Sequence, residues 1–284
     1  MTGEGLAGGN NNPILLDSWK NFETEVSRIF EAFEGVRKGH PGFIIFPPLF
    51  RGHAQRCWTL KTTLERYLNK DEYSIKDYYN ILRKINPVVE SLTSKSWGLE
   101  DNPKFDIFSP PPGYEFMVYL RHHGFPTPLL DWTISPYVAA FFAFQDPQNE
   151  DGQNEDKYIA IYHYGNYEPG EGECLPIIYR LGPSIRTHKR HFIQQCWYTI
   201  CVKKGVNEGD LIYCNHEGAY RNAIMHEGNM LTKYLIPRSE RSTVLNKLNF
   251  MNINAFSLFA NEESLMATLA YQIFTNGLFG IKEM

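Results

Sequence analysis

The sequence lacks the cysteine patterns that organise a disulfide scaffold or a zinc finger. Its 284 residues include five cysteines, an odd number, and no two of them form a CxxC pair. This usage argues against a disulfide framework and against a structural zinc site. We therefore expect reduced thiols, a cytoplasmic protein and no bound metal.

The sequence also lacks a strong charge bias and any long apolar run. The formal net charge is -4 and the sequence pI is about 6.2. A chain without a basic excess is not a general nucleic-acid binder, although a local basic patch remains at 186–191. No run approaches the roughly 20 apolar residues that span a bilayer. The first 12 residues are rich in Gly and Asn, so we expect neither a signal peptide nor membrane association.

Several catalytic signatures are missing as well. The sequence contains no GxSxG, no P-loop, no GxGxxG and no HExxH. It has no group of acidic residues at metal-binding spacing, which argues against a metal-dependent nuclease. These absences exclude the common hydrolase, nucleotide-binding and zinc-protease motifs as explanations of function.

What the sequence does contain is an order of elements that predicts an α+β fold. Residues 1–13 are expected to form a flexible tail, and 14–284 a single domain with an N-terminal helix at 14–40 and a core at 41–280. Helical spacing dominates up to Phe144, and strand patterns dominate from Tyr158 to Ile236. Two helices follow, the second capped by Asn261. Helices, then strands, then helices favour an α+β arrangement over a regular parallel sheet.

Arg51 is the first candidate functional residue. An apolar run at 43–46 predicts a strand, so Phe50-Arg51-Gly52 is expected at its end. A guanidinium matches phosphate or carboxylate, and the following glycine allows a ligand or another backbone to approach closely. The equally weighted alternative is a buried arginine paired with an internal acid such as Asp131.

The segment from Arg121 to Thr133 is the second candidate. It reads as a helix that stops at Gly124, then a turn with two prolines, then Leu-Leu-Asp-Trp-Thr. Asp131 or Thr133 can cap the helix that starts near Ser135. His122 and His123 point about 100° apart on a helix, so one of them is expected to face inward.

Gln194 and Gln195 form the third candidate, at the start of a predicted strand. A side-chain amide at a strand end can bind a ribose hydroxyl. The alternative, which we favour from the residues alone, is a glutamine that bonds to backbone or to solvent.

Taken together, these residues resemble the FRG domain family. Phe50-Arg51-Gly52 is similar to its aromatic-Arg-Gly motif, and the stretch from His122 to Thr133 to its most diagnostic segment. Further matches are Trp58, Leu60, Leu64, Arg66, Pro136, Ala139, Phe142, Ala143, Arg190, Gln194, Gln195, Tyr198 and 257–259. The likeness spans roughly residues 40–275.

The sequence departs from the family pattern at three positions. Arg121 stands where the family commonly has Gln, and Pro128 stands where it commonly has Arg. Arg121 is therefore a candidate to replace the missing guanidinium in space. Cys196 replaces a glycine after the two glutamines.

The resemblance implies a distant similarity to ADP-ribosyltransferase-like folds, with a central split antiparallel sheet and N-terminal and C-terminal helices packed around it. It implies an NAD-dependent ADP-ribosyltransferase or NAD glycohydrolase of bacterial toxin or anti-phage defence type, with NAD as substrate. A macromolecular acceptor, protein or nucleic acid, and an antitoxin or defence partner are expected with it. We expect catalytic residues at Arg51, His122, Asp131 and Gln194, and NAD-binding residues at Arg51, Gly52, Arg66, Arg121, Trp132, Thr133, Tyr137, Gln195 and Tyr198.

The chemistry fits this hypothesis in part. Cleavage of the nicotinamide bond passes through an oxocarbenium-like state, so a protein needs chiefly to hold the pyrophosphate, ring and ribose. Glutamine cannot act as a general base, so Asp131 is the candidate to activate an acceptor. The competing hypothesis is a non-catalytic module that binds a nucleotide or a protein. The catalytic hypothesis requires Arg51, His122 and Gln194 to line one cleft.

Overall fold

The computed structural model describes residues 12–42, 45–99, 109–146, 157–166, 176–206, 210–223 and 229–275. Most of the expected tail at 1–13 lies outside these ranges, as do Phe43 and Ile44 of the expected strand at 43–46. The strands are β1 (Ile14–Leu15), β2 (Leu49–His53), β3 (Tyr73–Ser74), β4 (Leu130–Thr133), β5 (Tyr158–Asn166), β6 (Ile177–Leu181), β7 (Cys196–Lys204), β8 (Leu211–Tyr213) and β9 (Asn229–Pro237).

The helices lie before, between and after these strands. They are α1 (Trp19–Gly39), α2 (Thr63–Leu68), α3 (Ile75–Thr93), α4 (Tyr114–His122), α5 (Pro136–Phe144), α6 (Lys189–Ile193), α7 (His216–Ala223), α8 (Arg241–Phe250), α9 (Ala255–Phe259) and α10 (Glu262–Ala270). A short 3-10 turn precedes α8 and a π-helical turn follows α10. No helix within the described ranges combines the length and the apolar character needed to cross a membrane.

The strands form a large, mostly antiparallel open sheet, which confirms the α+β prediction. Their order is β1-β9-β5-β2-β4-β7-β8-β3, with β6 paired to β7, and the β1–β9 pair is parallel. The sheet is one hydrogen-bonded path rather than two separate sheets. Its two halves meet at β2 and β4, whose register gives the single pair Phe50↔Thr133.

Two helical layers cover the two halves of the sheet. Around β2, β5 and β9, the core combines Phe22 and Val26 of α1 with the apolar face of α5. Around β7 and β8, it combines α3 and α4 through residues such as Leu82 and Met117. A third cluster spans the junction between these two halves and includes Leu49 of β2 and Leu130 and Trp132 of β4.

Local chemistry explains where the helices begin. Ser18 caps α1 by accepting a hydrogen bond from the backbone N–H of Asn21. Thr62 and Glu65 form a capping box on α2, and Ser135 caps α5 with Pro136 in its first turn. The buried residues of α1, such as Trp19 and Phe22, recur at helical spacing.

The position of Arg51 differs from the sequence-based expectation. The strand that carries it is β2, at 49–53, so Arg51 lies in the middle of a strand and not at its end. The two prolines at 47–48 precede this strand, and proline is tolerated just before a strand begins because no ladder donor is needed there. Leu130 to Thr133, which follow the expected turn with its two prolines, form the largely buried strand β4.

Candidate active site

A cavity of about 350 Å³ opens at the β2–β4 junction. That size is in the range of small-molecule sites. Arg51, His122 and Gln194 all line it, as the catalytic hypothesis required. The lining residues are Phe50, Arg51, Gly52, Ala54, Trp58, Arg121, His122, Asp131, Trp132, Thr133, Ala139, Phe142, Arg190, Gln194, Cys196 and Phe259.

Arg51 holds the junction together. Its Nη1 donates to the main-chain carbonyl of Asp131 at 2.7 Å, and its Nε donates to Nε2 of His53 at 2.9 Å. Arg51 and His53 share one face of β2 because alternate residues of a strand point the same way. The guanidinium thus bridges two strands that are joined by little backbone pairing.

Asp131 carries the negative charge of this cluster. Nε of Arg121 donates to both of its carboxylate oxygens at 3.0 Å, Nη2 of Arg121 also bonds to it, and Nη1 of Arg51 lies 3.6 Å from Oδ2. Burial acts to raise the pKa of Asp131, but the two guanidiniums outweigh it and hold that pKa below its ordinary value. The carboxylate is therefore ionised and occupied, which makes it a bridge between two arginines and a poor general base.

The guanidiniums keep their charge in this environment. Burial lowers the pKa of Arg51 to about 10, which still leaves it protonated at pH 7. The neighbouring carboxylate of Asp131 raises the pKa of Arg121. Arg121, which replaces the common family Gln, lies in the cavity as the candidate substitute for the missing family arginine, whereas Pro128 is not among the lining residues.

His122 is the histidine of the pair that faces the cavity. Its Nε2 lies 3.0 Å from the hydroxyl of Tyr198. Burial lowers its pKa to about 4, so it is neutral at pH 7. His123 is exposed and its ring packs on Tyr119, with ring centroids 4.3 Å apart.

Gln194 lines the cavity, but its amide is engaged with the protein. Nε2 donates to the carbonyl of Leu258 at 3.0 Å, and Oε1 lies 3.7 Å from the thiol of Cys196. Its backbone carbonyl accepts a hydrogen bond from the hydroxyl of Thr133 at 2.8 Å. These contacts connect α9 and β4 to the end of α6. Because the side-chain amide of Gln194 is already hydrogen-bonded within the protein, it is not free to bind a ribose hydroxyl as expected.

The ring of Trp132 is also committed to the core. It is 2% exposed, and its Nε1 donates to Thr199 at 2.9 Å. Trp132 thus borders the cavity without offering a free face for stacking. Thr133 accepts from the N–H of Ser135 at 3.1 Å and so braces the turn, whereas the cap of α5 is Ser135 itself and not Asp131.

Gly52 lines the cavity and lies directly against the backbone of α5. A Cβ at this position would come within 1.9 Å of the carbonyl oxygen of Ala139 in α5. The glycine therefore allows β2 to lie directly against α5. Of the two explanations for this glycine, close backbone approach is the one present in the structure.

The remaining expected binding residues lie elsewhere. Tyr137 packs on the ring of Trp19, and Tyr198 is fully buried. Arg66 is exposed and bonds to the carbonyl of Lys61, and Gln195 is exposed at a φ of 51°. None of the four is among the residues that line the cavity.

Eight lining residues were not among the expected site residues, and four of these are Trp58, Phe142, Arg190 and Phe259. Trp58 is 47% exposed, which is unusual for so large an apolar side chain. Arg190 donates to the carbonyl of Phe259 at 3.1 Å and lies 5.6 Å from the centroid of its ring. All four belong to the segments that carried the family resemblance. That resemblance was the feature of the sequence from which their place at the site could have been predicted.

Comparison with known proteins gives one match. Residues 47–152 match the family model of the FRG domain. No curated protein matches the chain. No solved structure matches it either. The matched segment includes β2, α4, β4 and α5, which supply most of the cavity wall, and Arg190, Gln194, Cys196 and Phe259 complete that wall from outside it.

Proposed function

This chain contains an FRG domain, and we propose that it is an NAD-dependent ADP-ribosyltransferase or NAD glycohydrolase that cleaves the nicotinamide N-glycosidic bond. The observation that carries the proposal is the charge of the cavity. Among the described residues, three arginines and one aspartate line it. Because Arg121 already neutralises Asp131, the excess positive charge is available to an anionic ligand such as a pyrophosphate.

The apolar part of the wall suits a ring. Trp58, Phe142 and Phe259 line the cavity beside the arginines. Aromatic side chains bind flat heterocycles by stacking or by edge contacts. We place the pyrophosphate at Arg51 and Arg190, and the nicotinamide against this aromatic wall in the role first expected of Trp132, Tyr137 and Tyr198.

In the proposed reaction, nicotinamide leaves with the electron pair of the glycosidic bond. The ribose carbon becomes oxocarbenium-like and is attacked by an acceptor hydroxyl, an amine or water, which then loses a proton. Fixed guanidiniums stabilise this step by holding the phosphates in place. His122 lines the same cavity as the arginines, and as a neutral imidazole it can hydrogen-bond to the ligand or to the acceptor and so orient it.

A non-catalytic nucleotide- or protein-binding module is the second candidate. The observation in its favour is that Asp131 is occupied by Arg121 and that the amide of Gln194 is engaged by Leu258. A cavity without a free carboxylate base can bind an anion without turning it over. The two candidates share the ligand and differ in whether the bond breaks.

The resemblance also supplies the proposed setting. We propose an ADP-ribosyltransferase-like arrangement of the sheet, supported by the weak pairing of β2 with β4. The acceptor would be a macromolecule, protein or nucleic acid. A role in bacterial toxin or anti-phage defence systems, with an antitoxin or defence partner, completes the proposal.

The test is to incubate the purified protein with NAD labelled in its nicotinamide, alone and with protein, RNA or DNA acceptors. Nicotinamide release that falls at least 100-fold in Arg51→Lys supports the enzyme. The lysine keeps the charge but loses the fork that reaches the Asp131 carbonyl and the ligand together. Arg37→Lys, in the exposed pair with Glu34, is the matched control and should leave release unchanged.

Two outcomes count against the enzyme. If NAD or ADP-ribose binds in an Arg51-dependent manner and no nicotinamide is released with any acceptor, the binding module is favoured. If neither ligand binds at millimolar concentration while thermal denaturation shows an intact fold, the enzyme and the nucleotide-binding module both fail.

A further inference from the structure

Two imidazoles and a thiol converge beside the cavity, with His122 and Cys196 lining it and His191 buried behind them. His122 ends α4, His191 lies in α6 and Cys196 begins β7, and their ligand atoms all lie within 4.8 Å of one another. From this geometry we infer a binding site for one borderline divalent metal ion, with Zn²⁺ as the first candidate, held by His122, His191 and Cys196. The inference rests on these side chains and stands independently of the proposed reaction.

The donor atoms suit such an ion. Imidazole nitrogen and thiolate sulfur are the ligands that zinc takes in proteins, at about 2.0–2.3 Å. A tetrahedral ion would require ligand atoms about 3.3–3.6 Å apart. Side-chain rotations that move the ligand atoms by about 1 Å are enough to bring them to that separation. Sequence spacing could not reveal it, because the three residues belong to three different elements.

The orientation of His191 is set by a neighbouring backbone group. Its Nε2 donates to the carbonyl of Pro183 at 3.1 Å. A carbonyl can only accept, so Nε2 carries the proton and Nδ1 keeps its lone pair. Such an outer hydrogen bond is the usual support of a metal-binding histidine. Burial also lowers the pKa of both histidines, which keeps them in the neutral form that binds metal.

Tyr198 occupies the middle of the cluster. Its hydroxyl lies 3.0 Å from Nε2 of His122 and 3.4 Å from Nδ1 of His191. Without an ion, this hydroxyl can donate its single proton to Nδ1 of His191 and accept a hydrogen bond from Nε2–H of His122. An ion must displace the hydroxyl or take it as a further ligand, so Tyr198 competes for the site without forming it.

Cys196 distinguishes this chain, because it stands where the family commonly has glycine. The thiol is 6% exposed and lines the cavity together with His122, which gives an ion a path of entry. Burial raises the pKa of Cys196 to about 12, so the thiol proton is released when the sulfur binds the ion. The fourth ligand of the ion would be the Tyr198 hydroxyl or, where that hydroxyl is displaced, water.

The experiment uses the full chain treated with chelator and then titrated with Co²⁺, which reports its ligands by absorption. We expect one ion per chain, the visible bands of a tetrahedral site, and a sulfur-to-metal charge-transfer band that Zn²⁺ abolishes by displacement. Cys196→Ser should remove the charge-transfer band, and His191→Gln should weaken Co²⁺ binding at least 100-fold.

Three variants serve as controls. Cys214→Ser changes a buried thiol that lies 3.1 Å from Cys201, outside the cluster, and should leave the band in place. His188→Gln changes a nearby histidine that is not a ligand and should bind as the parent does. Tyr198→Phe keeps the ring and removes the competing hydroxyl, so it should bind Co²⁺ at least as tightly as the parent.

The inference is overturned if the parent protein gives no charge-transfer band. It is equally overturned if the band survives Cys196→Ser and disappears in Cys214→Ser, since the ion would then sit at the other thiol pair. Folding of each variant is checked by thermal denaturation without metal. NAD is absent throughout, so failure here leaves the proposed reaction untouched.

Discussion

The guanidinium of Arg51 donates a 2.7 Å hydrogen bond to the main-chain carbonyl of Asp131 across the junction of β2 and β4. In a continuous sheet, a backbone N–H of the neighbouring strand would fill that role. Here the side chain of Arg51 replaces that backbone donor, and the cavity opens beside it. The charged group that shapes the junction is thus also the group that faces a ligand.

Asp131→Asn is expected to destabilise the protein by about 2 kcal/mol. The asparagine keeps the shape but removes the charge that compensates Arg121 and Arg51, and removing one partner of a partly buried ion pair leaves the other charges poorly compensated. Urea unfolding at pH 7 measures the loss. Glu34→Gln in the exposed pair with Arg37 is the control and should cost less than about 0.5 kcal/mol. Equal losses in the two variants would contradict a stabilising role for the partly buried ion pairs of Asp131.

Gly52→Ala is expected to destabilise the protein by about 3 kcal/mol or to prevent folding. The added Cβ would lie 1.9 Å from the carbonyl oxygen of Ala139, and neither backbone can yield easily. Gly35→Ala is the matched control, since nothing lies within 4 Å of its Cβ position inside α1. There alanine should stabilise by about 0.5–1 kcal/mol. Thermal denaturation of both variants checks the opposite signs.

His163 is expected to weaken the protein in acid. Burial, with help from the nearby charge of Arg180, lowers its pKa to about 3, and its Nε2 has no hydrogen-bond partner among the described residues. The unfolded chain binds the proton from about pH 6.5 downward, so this contribution to stability is complete above pH 6.5 and is lost as the pH falls toward 3. The slope is at most about 1.4 kcal/mol per pH unit.

His163→Leu should therefore reduce the loss of stability between pH 6.5 and 4. The ring of His163 stacks on Phe50 with centroids 5.3 Å apart, and leucine can replace that apolar contact. Unfolding free energies measured across this range in the parent and the variant provide the check. The same change at exposed His40 is the control. Parallel curves for the parent and His163→Leu would show that His163 does not contribute.

Trp58→Ala is expected to weaken the binding of NAD or ADP-ribose about 5-fold with little effect on stability. The indole is 47% exposed and lines the cavity, so its loss removes about 1 kcal/mol of aromatic contact with the ligand. Trp58→Phe should keep most of the affinity. Tyr67→Ala, at a residue 76% exposed on α2 and not among the lining residues, should change nothing in a calorimetric titration. Unchanged affinity in Trp58→Ala would remove the aromatic wall from the proposed site.

The sequence by itself determined most of the elements and the identity of the domain. Apolar spacing and capping residues predicted α2, α4, α5 and the strands after Tyr158, since those signals act over a few residues. The FRG resemblance rested on the same kind of local pattern and is confirmed by the match to 47–152. One difference concerns the start of the first helix. It was expected from residue 14, whereas α1 begins at Trp19, directly after its cap Ser18.

Only the tertiary structure decided which side chains share the cavity. Arg51, Arg121 and Arg190 come from β2, α4 and α6, and the pairing of β4 with its neighbours brings them together. The same packing commits Asp131 to Arg121, turns His123 away, and gathers His122, His191 and Cys196 around Tyr198. The contact between His122 and Tyr198, for example, joins residues 76 positions apart, where local patterns carry no information. The tertiary contacts therefore decided which candidate side chains bond to one another and which of them line the cavity.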